Sequence, residues 1–196
     1  MQAELGHVLQ LTVQNPRAAA RRLMGWQLPV STVWLMIALM AVISACLSSV
    51  SFLLTPAPSE PSVIDPNLLA IFTNPLQIAL LQGLVLVIMA MLAQGIGRLF
   101  GGTGSFPDAL ILIAWTEALL CLIQLAQTIL MLATPSIAAA LGMFGIVLFV
   151  WVLSNFIAEL HGFQSTGKVL FGIVGTVFAI SFLMALATVG LLELKG

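Results

Sequence analysis

The sequence places one acidic side chain, Glu117, in the middle of a long apolar segment, where a carboxyl group is chemically unusual. Glu117 lies nine residues beyond Asp108, about 13 Å along a helix that rises ~1.5 Å per residue. A helix that enters a membrane at Asp108 therefore brings this carboxyl group near the bilayer centre. A charge at that depth costs at least ~2.5 kcal/mol, so the group must face other helices, be protonated or contact water.

Three further side chains follow Glu117 on the same face of the predicted helix. Cys121, Gln124 and Thr128 continue from it at spacings of four, three and four residues. Such a polar stripe forms interhelical hydrogen bonds, lines a proton or solute pathway, or lies at a subunit interface. Because no Lys or Arg falls in mid-membrane, Gln82 of the preceding apolar segment is the candidate hydrogen-bond partner of Glu117.

Two other motifs suggest chemistry that their context does not support. Residues 162–168 read GFQSTGK, most of a phosphate-binding loop, but Val169 replaces the Ser or Thr that binds magnesium, and no strand precedes the loop. Glu159 and His161 form an incomplete metal site, and His7 is remote in sequence. The sequence therefore predicts no catalytic residue, no metal, no cofactor and no nucleotide.

The composition identifies lipid as the solvent of this chain. Of its 196 residues, 61% are hydrophobic and 7% are charged, whereas a soluble domain carries roughly 25% charged residues. The net charge of -1 gives no electrostatic basis for binding nucleic acid. Cys46 and Cys121 fall within apolar segments and are interpreted as small buried hydrophobic residues, not as a disulfide.

Five apolar segments are long enough to cross a bilayer, which requires roughly 20 residues per helix. They cover about residues 30–54, 75–97, 108–133, 137–157 and 168–192. Backbone groups in hydrocarbon must be satisfied within their own segment, so these spans are predicted to be helices. The predicted fold is an all-α membrane protein, a compact bundle of five transmembrane helices with an N-terminal interfacial helix. The predicted domains are an N-terminal segment, 1–29, and a transmembrane domain, 30–196.

The N-terminal segment contains a helix start signal followed by basic residues. Asn15 is a predicted N-cap with Pro16 at the first helical position. The segment Arg17–Arg22, with Trp26 shortly after it, is typical of a short helix on the membrane surface. It is either a topology signal with an aromatic anchor or a docking surface for anionic lipid or a partner.

The positive charges predict the orientation of the chain. With five spans, one side of the membrane receives Arg17, Arg21, Arg22, Arg98 and Lys168, and the other side receives Lys195 together with Glu60, Asp65 and Glu193. Positively charged loops remain in the cytoplasm, so we expect a cytoplasmic N-terminus and a C-terminus outside.

Small residues at four-residue spacing predict where helices approach each other closely. In the fourth span the candidate packing positions are Ala138 and Gly142. The fifth span pairs Gly172 with Thr176 and Gly175 with Ala179, and the first pairs Ala41 with Ala45 and Ser44 with Ser48. The neighbouring helix could belong to this chain or to another. A weak internal repeat also exists, because seven residues of 102–132 are identical to those 60 positions later.

The loops resemble those of a known family. The segment 101–106, GGTGSF, followed by a new span, resembles the glycine-rich elbow of bacterial Yip-family membrane proteins. The segment 160–165, LHGFQS, is similar to that family's second elbow, and Asn15-Pro16-Arg17 resembles the segment that leads into its first span. The candidate cytoplasmic elbow residues are Gly101, Gly102, Gly104, His161 and Gly162.

This resemblance implies a compact five-helix bundle in the bacterial cytoplasmic (inner) membrane. Eukaryotic members of the family act in membrane traffic and bind small GTPases of the Rab/Ypt class. Their Asp-Leu-Tyr-Gly-Pro motif is not found before the first span, and the chain contains no tyrosine. For bacterial members the resemblance implies a fold and a location, but no catalytic residues.

These observations favour a non-catalytic integral membrane protein. We expect a scaffold, assembly factor or accessory subunit that binds membrane lipid and another membrane protein or a second copy of itself. The reasons are the small soluble segments, the lack of a catalytic constellation and the helix faces rich in small residues. The alternative is a small channel or transporter that uses the polar stripe of the third span.

Overall fold

The computed structural model describes residues 2–54 and 74–193. The described helices are α1 (Gln2–Gln14), α2 (Pro16–Met24), α3 (Val30–Leu54), α4 (Pro75–Leu99), α5 (Phe106–Ala133), α6 (Pro135–His161) and α7 (Thr166–Glu193). Five of them, α3 to α7, are long and apolar enough to cross a membrane, and the described residues contain no strand. The prediction of an all-helical, multi-pass membrane bundle is confirmed.

Helix α3 coincides with its predicted span, and α4 to α7 extend beyond theirs by one to four residues at one or both ends. Asn74 caps α4 and Ser105 caps α5, each through its side-chain oxygen. Thr134 alone separates α5 from α6, which restarts at Pro135. The division at residue 30 remains a prediction, and Glu60, Asp65 and Lys195 lie outside the described residues.

Helix α5 forms the centre of the bundle. Residues 109–117 are buried without interruption, because α2, α3, α4 and α6 all contact this helix. In its most apolar 18-residue window 61% of the residues are buried, compared with 6% in the corresponding window of α7. The polar stripe predicted from the sequence is therefore on the one helix that is most enclosed by protein.

The N-terminal segment forms two helices that cover one end of the bundle. Their fully buried side chains are Val8, Thr12, Ala19, Ala20 and Leu23. The indole Nε1 of Trp115 donates to Thr12 Oγ1 over 2.8 Å, and the ring of Trp26 packs edge-on against Trp115 at 6.0 Å. Both helices pack against the bundle, and the sequence, which predicted a short helix at Arg17–Arg22 on the membrane surface, did not indicate these contacts.

Both elbows lie at this same end of the bundle, next to α2. Ser105 accepts a hydrogen bond from the backbone N–H of Asp108, and Ser165 accepts one from that of Lys168. The serines are 60 residues apart, the interval of the internal repeat, and each begins a transmembrane helix. One of the seven repeated identities thus occupies equivalent capping positions at the starts of two transmembrane helices.

Candidate functional site

The predicted polar stripe of α5 lies against polar side chains of two other helices. Together they form what we call the polar seam: Glu117, Cys121, Gln124 and Thr128 of α5, Ser44, Ser48 and Ser51 of α3, and Gln82 of α4. The serines of α3 are spaced four and three residues apart, so one face of that helix follows the stripe. From the sequence, Ser44 and Ser48 were predicted only as small packing residues, and Ser51 was not predicted to have a role.

The centre of the seam is the buried carboxyl group of Glu117, which is only 7% exposed. Gln82 Nε2 donates to Glu117 Oε1 over 2.8 Å, so the predicted hydrogen-bond partner is confirmed. Cys121, one turn further along α5, is also buried and faces Ser44. The carboxyl group therefore faces neighbouring helices, one of the three conditions expected at this depth.

Hydrogen bonds between helices continue toward the other end of the seam. Gln124 Nε2 donates to Ser48 Oγ over 3.0 Å, and the hydroxyl groups of Ser51 and Thr128 are 2.7 Å apart. Thr128 also donates to the backbone carbonyl of Gln124 over 2.8 Å. The stripe therefore joins α5 to α3 and α4 along much of its length.

A groove opens at the end of the seam that lies away from the elbows. Its volume is about 320 Å³, and it is lined by Ser48, Ser51, Gln124, Gln127, Thr128 and Met131. Except for the buried Thr128, these side chains are half-buried, so molecules outside the bundle can reach them. Within the part of the chain that the structure describes, this groove is a recess of the seam that side chains do not fill.

The elbow residues converge on His161. Its Nδ1 accepts a hydrogen bond from the backbone N–H of Gly104 over 3.1 Å, and its Nε2 lies 3.0 Å from the carbonyl oxygen of Ala93. A carbonyl only accepts hydrogen bonds, so Nε2 carries a proton. Because Nδ1 accepts a hydrogen bond from Gly104, it carries no proton, and the ring is neutral. His161 is 4% exposed and stacks on Phe163 at 5.4 Å.

Glycines make room for this imidazole. A Cβ atom added at Gly97, Gly102 or Gly104 would overlap the side chain of His161, or of its neighbour Leu160. The first elbow turns at Gly101, whose φ of 84° is a conformation that favours glycine. Gly102 and Gly104 instead allow close contact between the two elbows. A local sequence motif does not reveal this role, because the elbows are far apart in the chain.

Arginine side chains attach α2 to the second elbow. Arg17 donates to the carbonyl oxygen of Phe163 over 3.0 Å and to Thr166 Oγ1 over 2.9 Å. Arg21 pairs with Glu159 at 2.9 Å. Two of the three arginines of α2 therefore bind the protein's own loop and helix end. From the sequence, these arginines were predicted to form a topology signal or a docking surface.

The predicted packing positions divide into two groups. Ala138 is buried, and Gly142 lies against the amide of Gln127, so the small residues of α6 do allow close helix contact. A Cβ atom at Gly172 or Gly175 of α7 would meet nothing within 4 Å. These two glycines therefore pack against no helix of the described chain, and a role in contact with another chain stays a prediction.

Within residues 2–54 and 74–193, no group of three or more His, Cys, Asp or Glu side chains is placed to hold a metal ion. Glu117, Glu159 and His161 instead have protein partners in the seam, in α2 and at the elbows.

Comparison with known proteins identifies the family. No curated protein and no solved structure matches the chain. A family model described as the Yip1 domain matches residues 11–188, a range that begins in α1, includes both elbows and the polar seam, and ends in α7. The match covers most of the chain, and the protein therefore belongs to the Yip1 domain family of multi-pass membrane proteins.

Proposed function

We propose that this protein is a non-catalytic scaffold, assembly factor or accessory subunit that binds another membrane protein. The observation that carries the proposal is the exposure of α7, which packs mainly against α6 and leaves its glycine-containing face open. Helices associate in membranes chiefly where small residues let their backbones approach closely.

Site-specific photo-crosslinking in native membranes tests this proposal. A photoreactive residue at Val174 or Phe178 of α7, both well exposed, is expected to capture a partner that mild-detergent purification and mass spectrometry identify. Leu80 of α4 is the matched control, because it is equally exposed on another helix. A monomer that forms no crosslink from α7, or forms the same crosslinks from Leu80, would contradict the proposal.

A small-to-large substitution provides a second test on the same face. Gly175→Leu adds a side chain where a Cβ atom meets nothing within 4 Å, so the bundle itself is expected to fold unchanged. Close approach of a partner helix is blocked, and the amount of co-purified partner is expected to fall at least severalfold. Unchanged recovery of the partner would show that this face is not the binding surface.

The alternative function is a small channel or transporter, and the buried carboxyl group of Glu117 is the observation that favours it. The groups of the seam are, however, paired across helices, as in the Gln82–Glu117 and Ser48–Gln124 hydrogen bonds. Solute flux into proteoliposomes that is lost in Glu117→Ala would support transport. Flux equal to that of empty vesicles across a broad solute panel would reject it.

We further propose that the protein resides in the bacterial cytoplasmic membrane with the elbows and α2 in the cytoplasm. Arg17, Arg21 and Arg22 of α2 lie at the same end as Arg98 and Lys168 of the elbows. Cytoplasmic loops carry the excess of positive charge in membrane proteins, which supports this orientation.

A further inference from the structure

The groove at the far end of the seam contains two amide side chains with hydrogen-bonding groups that no side chain of residues 2–54 and 74–193 pairs with. Gln127, half-buried in its wall, has no hydrogen-bond partner within residues 2–54 and 74–193. The Gln124 amide donates to Ser48, but its oxygen accepts no hydrogen bond from the described residues. In hydrocarbon an unpaired amide costs several kcal/mol, so such groups require a ligand, water or lipid partner.

The chemistry of the lining defines what can bind. Hydroxyl and amide groups supply both donors and acceptors, while Met131 supplies an apolar wall. None of the described residues that line the groove is charged. An ion or a phosphate group would find no counter-charge there, whereas a neutral acceptor such as an ester carbonyl fits these donors.

The depth of the groove indicates the source of that acceptor. The 28 residues of α5 extend about 42 Å, close to the ~40–45 Å of a bilayer with its headgroups. Gln127 lies six residues before the end of α5 at Ala133, about 9 Å from it. With a hydrocarbon core of ~30 Å, this depth falls just inside the hydrocarbon boundary, where the glycerol esters of lipids lie.

We propose that the groove is a binding site for the glycerol-ester portion of a diacyl membrane lipid. The Gln127 amide donates to an ester carbonyl, the acyl chains extend beside Met131, and the headgroup faces the water layer. This site is on α3 and α5, separate from the exposed face of α7, so it does not depend on the proposed binding of a partner protein.

Native mass spectrometry of the full-length protein from mild detergent tests this site with two probes. The first is a palmitoyl-oleoyl phosphatidylglycerol, and the second is its diether analogue, which has the same headgroup and chains but no ester carbonyls. We expect wild type to retain about one diester molecule and to bind the diether analogue roughly fivefold less, as for the loss of one hydrogen bond.

Variants locate the site. Gln127→Leu removes an amide that has no partner in the described chain, and it is expected to lower retention of the diester lipid to the level of the diether. Gln77→Leu is the matched control, because Gln77 is an exposed glutamine near the same membrane surface and outside the groove. Equal binding of the two lipids by wild type would overturn the proposal, as would unchanged retention in a folded Gln127→Leu variant.

Discussion

Glu117 shares its buried environment with one neutral partner, Gln82, whose amide donates to it over 2.8 Å. Removal of either partner leaves the other as an unpaired polar group inside the bundle. The measurable quantity is their coupling free energy, which for interhelical hydrogen bonds in membranes averages about 0.6 kcal/mol and reaches about 1.7 kcal/mol.

A double-mutant cycle measures this coupling. We expect Glu117→Ala and Gln82→Ala to lower the free energy of unfolding in mixed micelles, and the double variant to lose less than the sum, by about 0.6–1.7 kcal/mol. Glu117→Gln keeps an acceptor for Gln82 and is expected to be nearly neutral. Strictly additive losses would show that the two side chains do not stabilise each other.

The three glycines around His161 predict a second effect at single residues. Gly97→Ala brings a Cβ atom into the imidazole ring, and such overpacking typically costs 1–3 kcal/mol. Gly95→Ala, on the same helix, meets nothing within 4 Å and is expected to be neutral or slightly stabilising, because alanine favours helix more than glycine does.

Removal of the ring identifies the cause of that destabilisation. In a His161→Ala background the overlap is absent, so Gly97→Ala is expected to cost far less than it does in wild type. Thermal unfolding monitored by circular dichroism checks both backgrounds. A cost that is the same with and without His161 would mean that the glycine is needed for another reason.

At the scale of single residues, the sequence predicted the central interhelical contact of the polar stripe. The Glu117–Gln82 pair could be anticipated because an isolated membrane carboxyl group needs a neutral partner and few are available. The environment of His161 could not be anticipated from the sequence, because Gly104 and Ala93 lie 57 and 68 residues away from it. Gln127 was not selected either, since it lies beside the stripe and not on it.

At the scale of elements, α1 and α2 are held at the end of the bundle by buried apolar side chains and by a few polar contacts. Arg17 makes part-buried hydrogen bonds to the second elbow, and hydrogen bonds of charged groups contribute about 1.5–3 kcal/mol. Arg22 makes only an exposed pair with Glu4 at 3.4 Å, a contact that contributes about 0–1 kcal/mol.

We therefore expect Arg17→Gln to raise the rate of amide hydrogen exchange in α1 and α2 by roughly tenfold, the equivalent of ~1.4 kcal/mol. Arg22→Gln is the matched control and is expected to change the rate less than threefold. Hydrogen–deuterium exchange mass spectrometry in mild detergent resolves these helices from the spans. Equal effects of the two substitutions would show that the elbow contact does not retain α2.

The elements also show where sequence patterns stop being informative. The five spans and the Asn15 cap follow from hydrophobic length and local side-chain chemistry, and both are present. The interfacial location of α2 was inferred from its arginines, but burial of Ala19, Ala20 and Leu23 depends on a complementary surface formed by α5 and α6. A pattern in one helix does not specify whether lipid or protein covers it.

At the scale of the whole molecule, charge and hydrogen bonding agree on one end of the bundle. Arg17 of α2 reaches the second elbow, and His161 of that region reaches the first. The basic residues Arg98 and Lys168 are thereby collected at the same end, as the charge pattern predicted for an odd number of spans. Ser136, at the start of α6, lies at the other end of the bundle and is therefore expected on the side of the membrane opposite to the elbows.

Cysteine labelling tests this arrangement. In a background with Cys46→Ala and Cys121→Ala, the exposed positions Gln164 and Ser136 receive single cysteines, as Gln164→Cys and Ser136→Cys. A membrane-impermeant maleimide is expected to label the Ser136→Cys variant in intact cells, and the Gln164→Cys variant only after permeabilisation, because positive loops stay in the cytoplasm. If only the Gln164→Cys variant were labelled in intact cells, the protein would have the opposite orientation in the membrane. Equal labelling of both would contradict the bundle itself, since α6, which connects them, could not then cross the membrane.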